Sequence, residues 1–108
     1  MSLLGMFREP RLVVPKLTAT AEGQECTMRV PGICNGRTDT TVWAHSNLER
    51  HGKGKALKSH DIFGCWACFS CHTWLDGTRD PRREEYFEKA RDRTLYILFR
   101  GGKLKVVS

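Results

Sequence analysis

The stretch CWACFSCH, running from Cys65 to His72, holds three cysteines and a histidine, and two further cysteines, Cys26 and Cys34, lie upstream in CTMRVPGIC. Four thiolates drawn from two separated pairs make a tetrahedral zinc site of the structural kind. Cys26 and Cys34 supply one pair. The other must come from Cys65 with Cys68 or from Cys68 with Cys71, since the two C-x-x-C hooks overlap. Such a hook aims both sulfurs at one centre when its first cysteine ends a strand and the second follows a tight turn. Cys65 stands inside the apolar run IFGCWA and Cys68 at its end. The predicted ligands are therefore Cys26, Cys34, Cys68 and Cys71, with Cys65 a buried strand thiol. A structural Zn2+ of this kind couples metal binding to folding, which helps a small core.

Two other chemistries fit the same string less well. Cys68-Phe69-Ser70-Cys71-His72 matches a c-type haem attachment site, but that reaction belongs to exported proteins and leaves Cys26 and Cys34 without a role. A thioredoxin-like redox pair needs a βαβ context that the chain lacks. Disulfides are disfavoured too: MSLLGMFREPRLVV has no basic n-region, and Arg8, Glu9 and Arg11 interrupt its apolar run, so a reducing, cytosolic setting is expected. No apolar run approaches the roughly 18 residues of a membrane span.

Behind the cysteines stands His72. In a helix opening near Cys71, His72 and Asp76 are four residues apart and share a face, so one imidazole nitrogen and one carboxylate oxygen could hold the same cation, whether Mg2+, Mn2+ or a transition metal. His45 ends the strand-like TTVWAH beside Trp43, where its ring could face the interior or an incoming substrate. The GKGK stretch is not a P-loop, because no G-x-x-x-x-G-K-[ST] occurs.

The 108 residues carry 18 Lys and Arg against 12 Asp and Glu, a net charge of +6, which favours a polyanionic partner such as nucleic acid. The excess is local: Arg50, Lys53, Lys55 and Lys58 face only Glu49 between Asn47 and His60, and Arg100, Lys103 and Lys105 follow near the C-terminus. The first group could grip phosphates.

These residues need elements to position them. Residues 1–20, with Pro10 and Pro15, read as an N-terminal arm or packed extension before the domain of residues 21–108. CTMRV and TTVWAH read as short strands, joined by turns at Pro31-Gly32 and Asn35-Gly36. NLERHGKGKALKSH is a long basic loop, of the sort that a small domain keeps for function. DIFGCWA is a short apolar strand, and a helix opens at Phe69 and runs to about Leu75. Asp80-Pro81 starts a second helix, PRREEYFEKARDR, with Tyr86, Phe87 and Ala90 on its buried stripe. LYILF and KLKVV, joined by Arg100-Gly101-Gly102, read as a hairpin. The expected class is a small α+β domain.

In this arrangement the chain resembles the HNH, or ββα-metal, nucleases, and within them the YbcO-like family of predicted nucleases carried by phages and prophages, related to the nuclease domain of the RecA-dependent nuclease Ref. The residues that carry the likeness are CTMRVPGICNG (26–36), TTVWAH (40–45), the glycine-lysine loop leading to Asp61-Ile62, and WACFSCHTWLD (66–76), so it covers about Gly23 to Asp76. The resemblance implies an α+β HNH-like fold with a four-cysteine zinc. It implies a metal-dependent DNA endonuclease of phage recombination or DNA processing, at work in the bacterial cytoplasm, with DNA as its partner and a recombinase as a candidate one. By position, His45 matches the histidine that activates water, His72 the last histidine, which binds the catalytic Mg2+ or Mn2+, and Asp76 a second ligand four residues on. Asp61 takes the approximate place of the middle asparagine. Many HNH enzymes also carry a metal ligand just before the first histidine, where this chain has Ala44. That departure motivates two rival expectations: a zinc-stabilised DNA-binding accessory module whose nuclease site has decayed, or a zinc-ribbon adaptor.

Overall fold

The computed structural model describes residues 10–54 and 58–106, Glu49 by its backbone alone. Strand β1 (Val42–His45) pairs antiparallel with β2 (Gly64–Ala67), with Val42 opposite Ala67 and His45 opposite Gly64. Every residue of β2 is buried, so this strand lies in the middle of the molecule. Gly64 is required by close packing: a Cβ there would run into the Trp43 indole and lie 2.9 Å from the Ala44 carbonyl oxygen. The same indole donates from Nε1 to the Asp61 carbonyl at 3.0 Å, which fixes the chain entering β2.

Helix α1 (Pro15–Thr18) is a single turn continued by a 3₁₀ turn, Ala19–Ala21; α2 (Phe69–Gly77) starts directly after the sheet; and α3 (Arg83–Arg100) is the long helix, packed along β2. Cys68 caps α2, its sulfur accepting from the Cys71 N–H, so the turn that aims the cysteines also opens the helix. Glu84 and Glu85 in the first turn of α3 complement its dipole. Thr94, fully buried, pins α3 in place: its hydroxyl donates to the Ala90 carbonyl at 2.8 Å, accepts from Trp66 N–H at 3.2 Å and touches Thr27 Oγ1 at 2.9 Å.

Two expectations are corrected. LYILF is not a hairpin strand; α3 runs through it to Arg100. The helical face of Phe87, Ala90, Thr94 and Leu98 is buried without a break, and packing against the sheet outweighs the β preference of Tyr96, Ile97 and Phe99. Gly101 and Gly102 then end the helix, with Gly102 at φ +75° and Lys103 N–H bonded to the Leu98 carbonyl at 2.9 Å. Nor does CTMRV form a strand among the described residues. It bends around the cysteine sulfurs, with Arg29 at φ +49°, and Thr27 N–H bonds the Trp66 carbonyl at 2.8 Å. The Pro31-Gly32 turn is present as read: Gly32 has φ +76° and Ile33 N–H bonds the Val30 carbonyl at 3.0 Å, a type II geometry.

Two apolar clusters result. One surrounds the cysteines and reaches Leu75, Phe87 and Ala90. The other joins Leu17 and Ala21 of the N-terminal segment to Trp43, Trp66 and Leu98, so residues 10–21 are a packed extension lying on the sheet. Among the described residues no helix is long and apolar enough to cross a membrane.

Candidate functional site

His45 closes β1, where the strand register puts it opposite Gly64, beside the turn that carries Asp61. Its Nε2 lies 2.8 Å from Asp61 Oδ1, and the carboxylate is only 2% exposed. The same oxygen accepts from Arg11 Nη2 at 2.7 Å, while Oδ2 accepts from the Val14 N–H at 2.7 Å. Burial by itself would raise the Asp61 pKa, but the hydrogen bonds from His45 and Val14 and the nearby Arg11 charge bring it below the ordinary 3.8, so the group is ionised. An ionised carboxylate only accepts. Nε2 of His45 therefore carries the proton, and Nδ1 is left as the basic nitrogen. Burial lowers the His45 pKa from 6.5, with Asp61 opposing and Arg11 and Lys58 assisting, so the ring is neutral at pH 7.

His72 and Asp76 lie one turn apart on α2, and their facing atoms, Nε2 and Oδ2, are 3.2 Å apart. Two ligands each about 2.1 Å from one cation and at right angles to each other would be about 3.0 Å apart, so the pair fits one divalent ion as adjacent ligands. The His72 hydrogen bond is the main reason that the Asp76 pKa is lowered. Asn47, just past β1, donates from Nδ2 to Asp76 Oδ1 at 3.1 Å and so orients the carboxylate from its other side.

His45, His72, Asp76, Lys53 and Lys58 line one cavity of about 490 Å3. The side chains named in the sequence reading as base, cation ligands and phosphate contacts thus share one space, with Asp61 behind His45. Arg50 does not join them: its Nη2 pairs with Glu88 of α3 at 2.9 Å. Lys55 lies outside the described residues. Sequence reasoning missed Arg11 and Asn47. Arg11 is separated from Asp61 by 50 residues and sits in a segment without periodicity, so no local signal marked it.

The sulfurs of Cys26, Cys34, Cys68 and Cys71 all lie within 4.8 Å of one another, the one such group of three or more His, Cys, Asp or Glu donors among the described residues. Cys34 and Cys68 sulfurs are 3.9 Å apart. A tetrahedral zinc with bonds of about 2.3 Å spaces its sulfurs by about 3.8 Å, so the cluster fits that ion. Its electrostatics also ask for a cation. The Cys26 thiolate is favoured by a hydrogen bond from Cys71 and by backbone N–H groups, and the Cys71 thiol is pushed up by its bond to that thiolate and by burial. A bound cation would relieve this opposition by favouring both thiolates. Cys65 stays outside the cluster, fully buried in β2, its thiol pushed well above 9.0 by desolvation.

A family model described as "Putative nuclease YbcO" matches residues 15–102. Two relatives bear that description, one from Escherichia coli strain K12 and one from Enterobacteria phage 82. Each is 40% identical over 60 residues, 56% of this chain and 62% of the relative, so the match spans less than two thirds of either. Among solved structures, the chain described as "Structure of a putative bacteriophage protein from Escherichia coli str. K-12 substr. MG1655" is similar with a TM-score of 0.62 and 30% identity, over 79% of this chain and 98% of that one.

Proposed function

Since the chain belongs to the family described as "Putative nuclease YbcO", we propose that it is a metal-dependent DNA endonuclease of the HNH type, hydrolysing phosphodiester bonds in phage DNA recombination or processing. The single observation that carries the reading is the shared cavity: a neutral histidine backed by a buried carboxylate faces a histidine-carboxylate pair suited to a divalent cation, with two lysines beside them.

Each residue has a task. His45 Nδ1 accepts a proton from water as its oxygen attacks phosphorus, and Asp61, bound to Nε2–H, holds the ring in that tautomer and stabilises the imidazolium. The bond from phosphorus to the leaving 3′ oxygen breaks as the new one forms, and that oxygen takes its proton from solvent. His72 and Asp76 would hold the cation, Mg2+ or Mn2+, and when bound it would supply Lewis-acid stabilisation of the charge that develops on the phosphoryl group. Asn47 keeps Asp76 aimed. Lys53 and Lys58, with Lys55 from the same loop, bind flanking phosphates. The Zn2+ held by Cys26, Cys34, Cys68 and Cys71 has a structural part: Cys71 and His72 are adjacent, so fixing the first turn of α2 fixes the reactive ligand. The setting is the cytoplasm of a bacterial host, and a recombinase is the partner class to examine.

A second reading, a DNA-binding accessory module with a decayed nuclease site, draws on one observation. Ala44, fully buried, stands where a further ligand would be, which leaves His72 and Asp76 to hold the cation by themselves. Plasmid cleavage in Mg2+ or Mn2+ separates the two. Wild type should nick or linearise the plasmid, and His45→Ala and His72→Ala should lose on the order of a hundredfold or more in rate. Binding without cleavage above the level of either variant would leave the accessory module standing.

A further inference from the structure

Arg11 reaches the site from the N-terminal extension and does more there than neutralise Asp61. Its Nε donates to the Ser59 carbonyl at 3.2 Å and its Nη2 to Asp61 Oδ1 at 2.7 Å, so the plane of the guanidinium is fixed at two points. The carboxylate is 2% exposed and the arginine side chain 36%. Of its five N–H donors, those on Nη1 have no partner among the described residues. Arg11 also lines a second cavity, of about 460 Å3, together with His45, Lys58 and Asp61. His45, Trp43 and Lys58 line this cavity as well as the one that contains His72 and Asp76. The histidine is thus flanked by two spaces, one with the cation ligands and one with a rigidly held arginine.

A guanidinium held at two points beside a cavity suits a phosphate oxygen, because its orientation is already set when the ligand arrives. We propose that Arg11 binds a backbone phosphate of DNA next to the one attacked, on the side of His45 away from His72 and Asp76, so that one strand crosses His45 with a phosphate held on either side. Which phosphate is attacked rests on the nuclease reading; the contact itself does not need cleavage to be seen. Arg11 is then a substrate-binding residue that also positions Asp61.

The test compares wild type with Arg11→Lys, Arg11→Gln and Arg11→Ala, each checked for zinc content and fold. Affinity for a short DNA, single-stranded and duplex, is measured without added Mg2+ or Mn2+ over a salt series, and kcat is measured with them. Loss of the contact should weaken binding about tenfold in the Gln and Ala variants. It should also reduce the slope of log affinity against log salt by about 0.7 to 0.9, with Arg11→Lys keeping the slope. An unchanged slope in folded Arg11→Gln overturns the proposal and leaves Arg11 as a structural clasp. An Arg11-dependent slope without cleavage by wild type supports the contact and sinks the nuclease reading. Cleavage with a slope indifferent to Arg11 does the reverse, and no DNA binding by wild type overturns both. Should the variants fail to fold, phenylglyoxal modification of wild type mapped by mass spectrometry reads the same contact: bound DNA must shield Arg11, and equal modification with and without DNA overturns the proposal.

Discussion

Replacing Asp61 by asparagine changes one atom group and tests the centre of the site. The carboxylate accepts three hydrogen bonds, from Arg11 at 2.7 Å, His45 at 2.8 Å and the Val14 N–H at 2.7 Å. An amide cannot reproduce this. With its oxygen toward Arg11 and His45, its NH2 faces the Val14 N–H; turned over, its NH2 faces a guanidinium. Each arrangement leaves a buried donor unpaired, at about 1–3 kcal/mol, and removes the charge that strengthens the remaining bonds. Arg11 is partly exposed and recovers some solvation, so the net loss is about 2–3 kcal/mol. For a chain of 108 residues this lowers the melting temperature by roughly 10–20 °C. The sign with pH follows from the depressed Asp61 pKa: the stabilisation is present above the ordinary 3.8 and is lost only as the pH falls through the lower folded value. The melting difference should accordingly persist at both pH 8 and pH 6, where the Asp61 carboxylate is ionised. Zinc-loaded wild type, Asp61→Asn, Arg11→Ala and the double variant should be melted side by side, and the double variant should lose clearly less than the sum of the singles. A single-variant shift under about 3 °C, or simple additivity, would refute the view that Asp61 ties the N-terminal extension to the end of β1.

Metal analysis of purified protein should find about one tightly bound zinc, lost in Cys71→Ala and kept in Cys65→Ala; retention in the first with loss in the second would assign the wrong pair. In the proposed reaction the neutral His45 ring is the active form, and burial lowers its pKa from 6.5, so the acid-side midpoint of kcat/KM for plasmid cleavage should fall below pH 6.5. A decline already complete at pH 7 would contradict His45 as the base.

Much of the site was legible because the chemistry is local in sequence. Cys68, Cys71, His72 and Asp76 fall within one strand end and two helical turns, where spacing alone states which groups can meet. The separation of Cys65 from the metal set was legible too, since a residue inside an apolar strand points into the core. The C-terminal strands were misread for an equally physical reason. Tyr96, Ile97 and Phe99 favour strands when viewed as a short run, and only the buried positions Ala90, Thr94 and Leu98 against β2 decide for a helix.

By itself, then, the sequence determined the groups whose partners lie a few residues away: the four-cysteine set, the His72 and Asp76 pair, the Pro31-Gly32 turn and the basic loop. Tertiary structure alone decided that Arg50 faces Glu88, that Asn47 reaches Asp76, and that Arg11 and the Val14 N–H converge with His45 on Asp61. Those contacts join residues 16 to 50 positions apart. The contacts from Arg11 and Val14 go with the seating of Leu17 and Ala21 against Trp43 and Trp66, a packing choice that no local pattern contains.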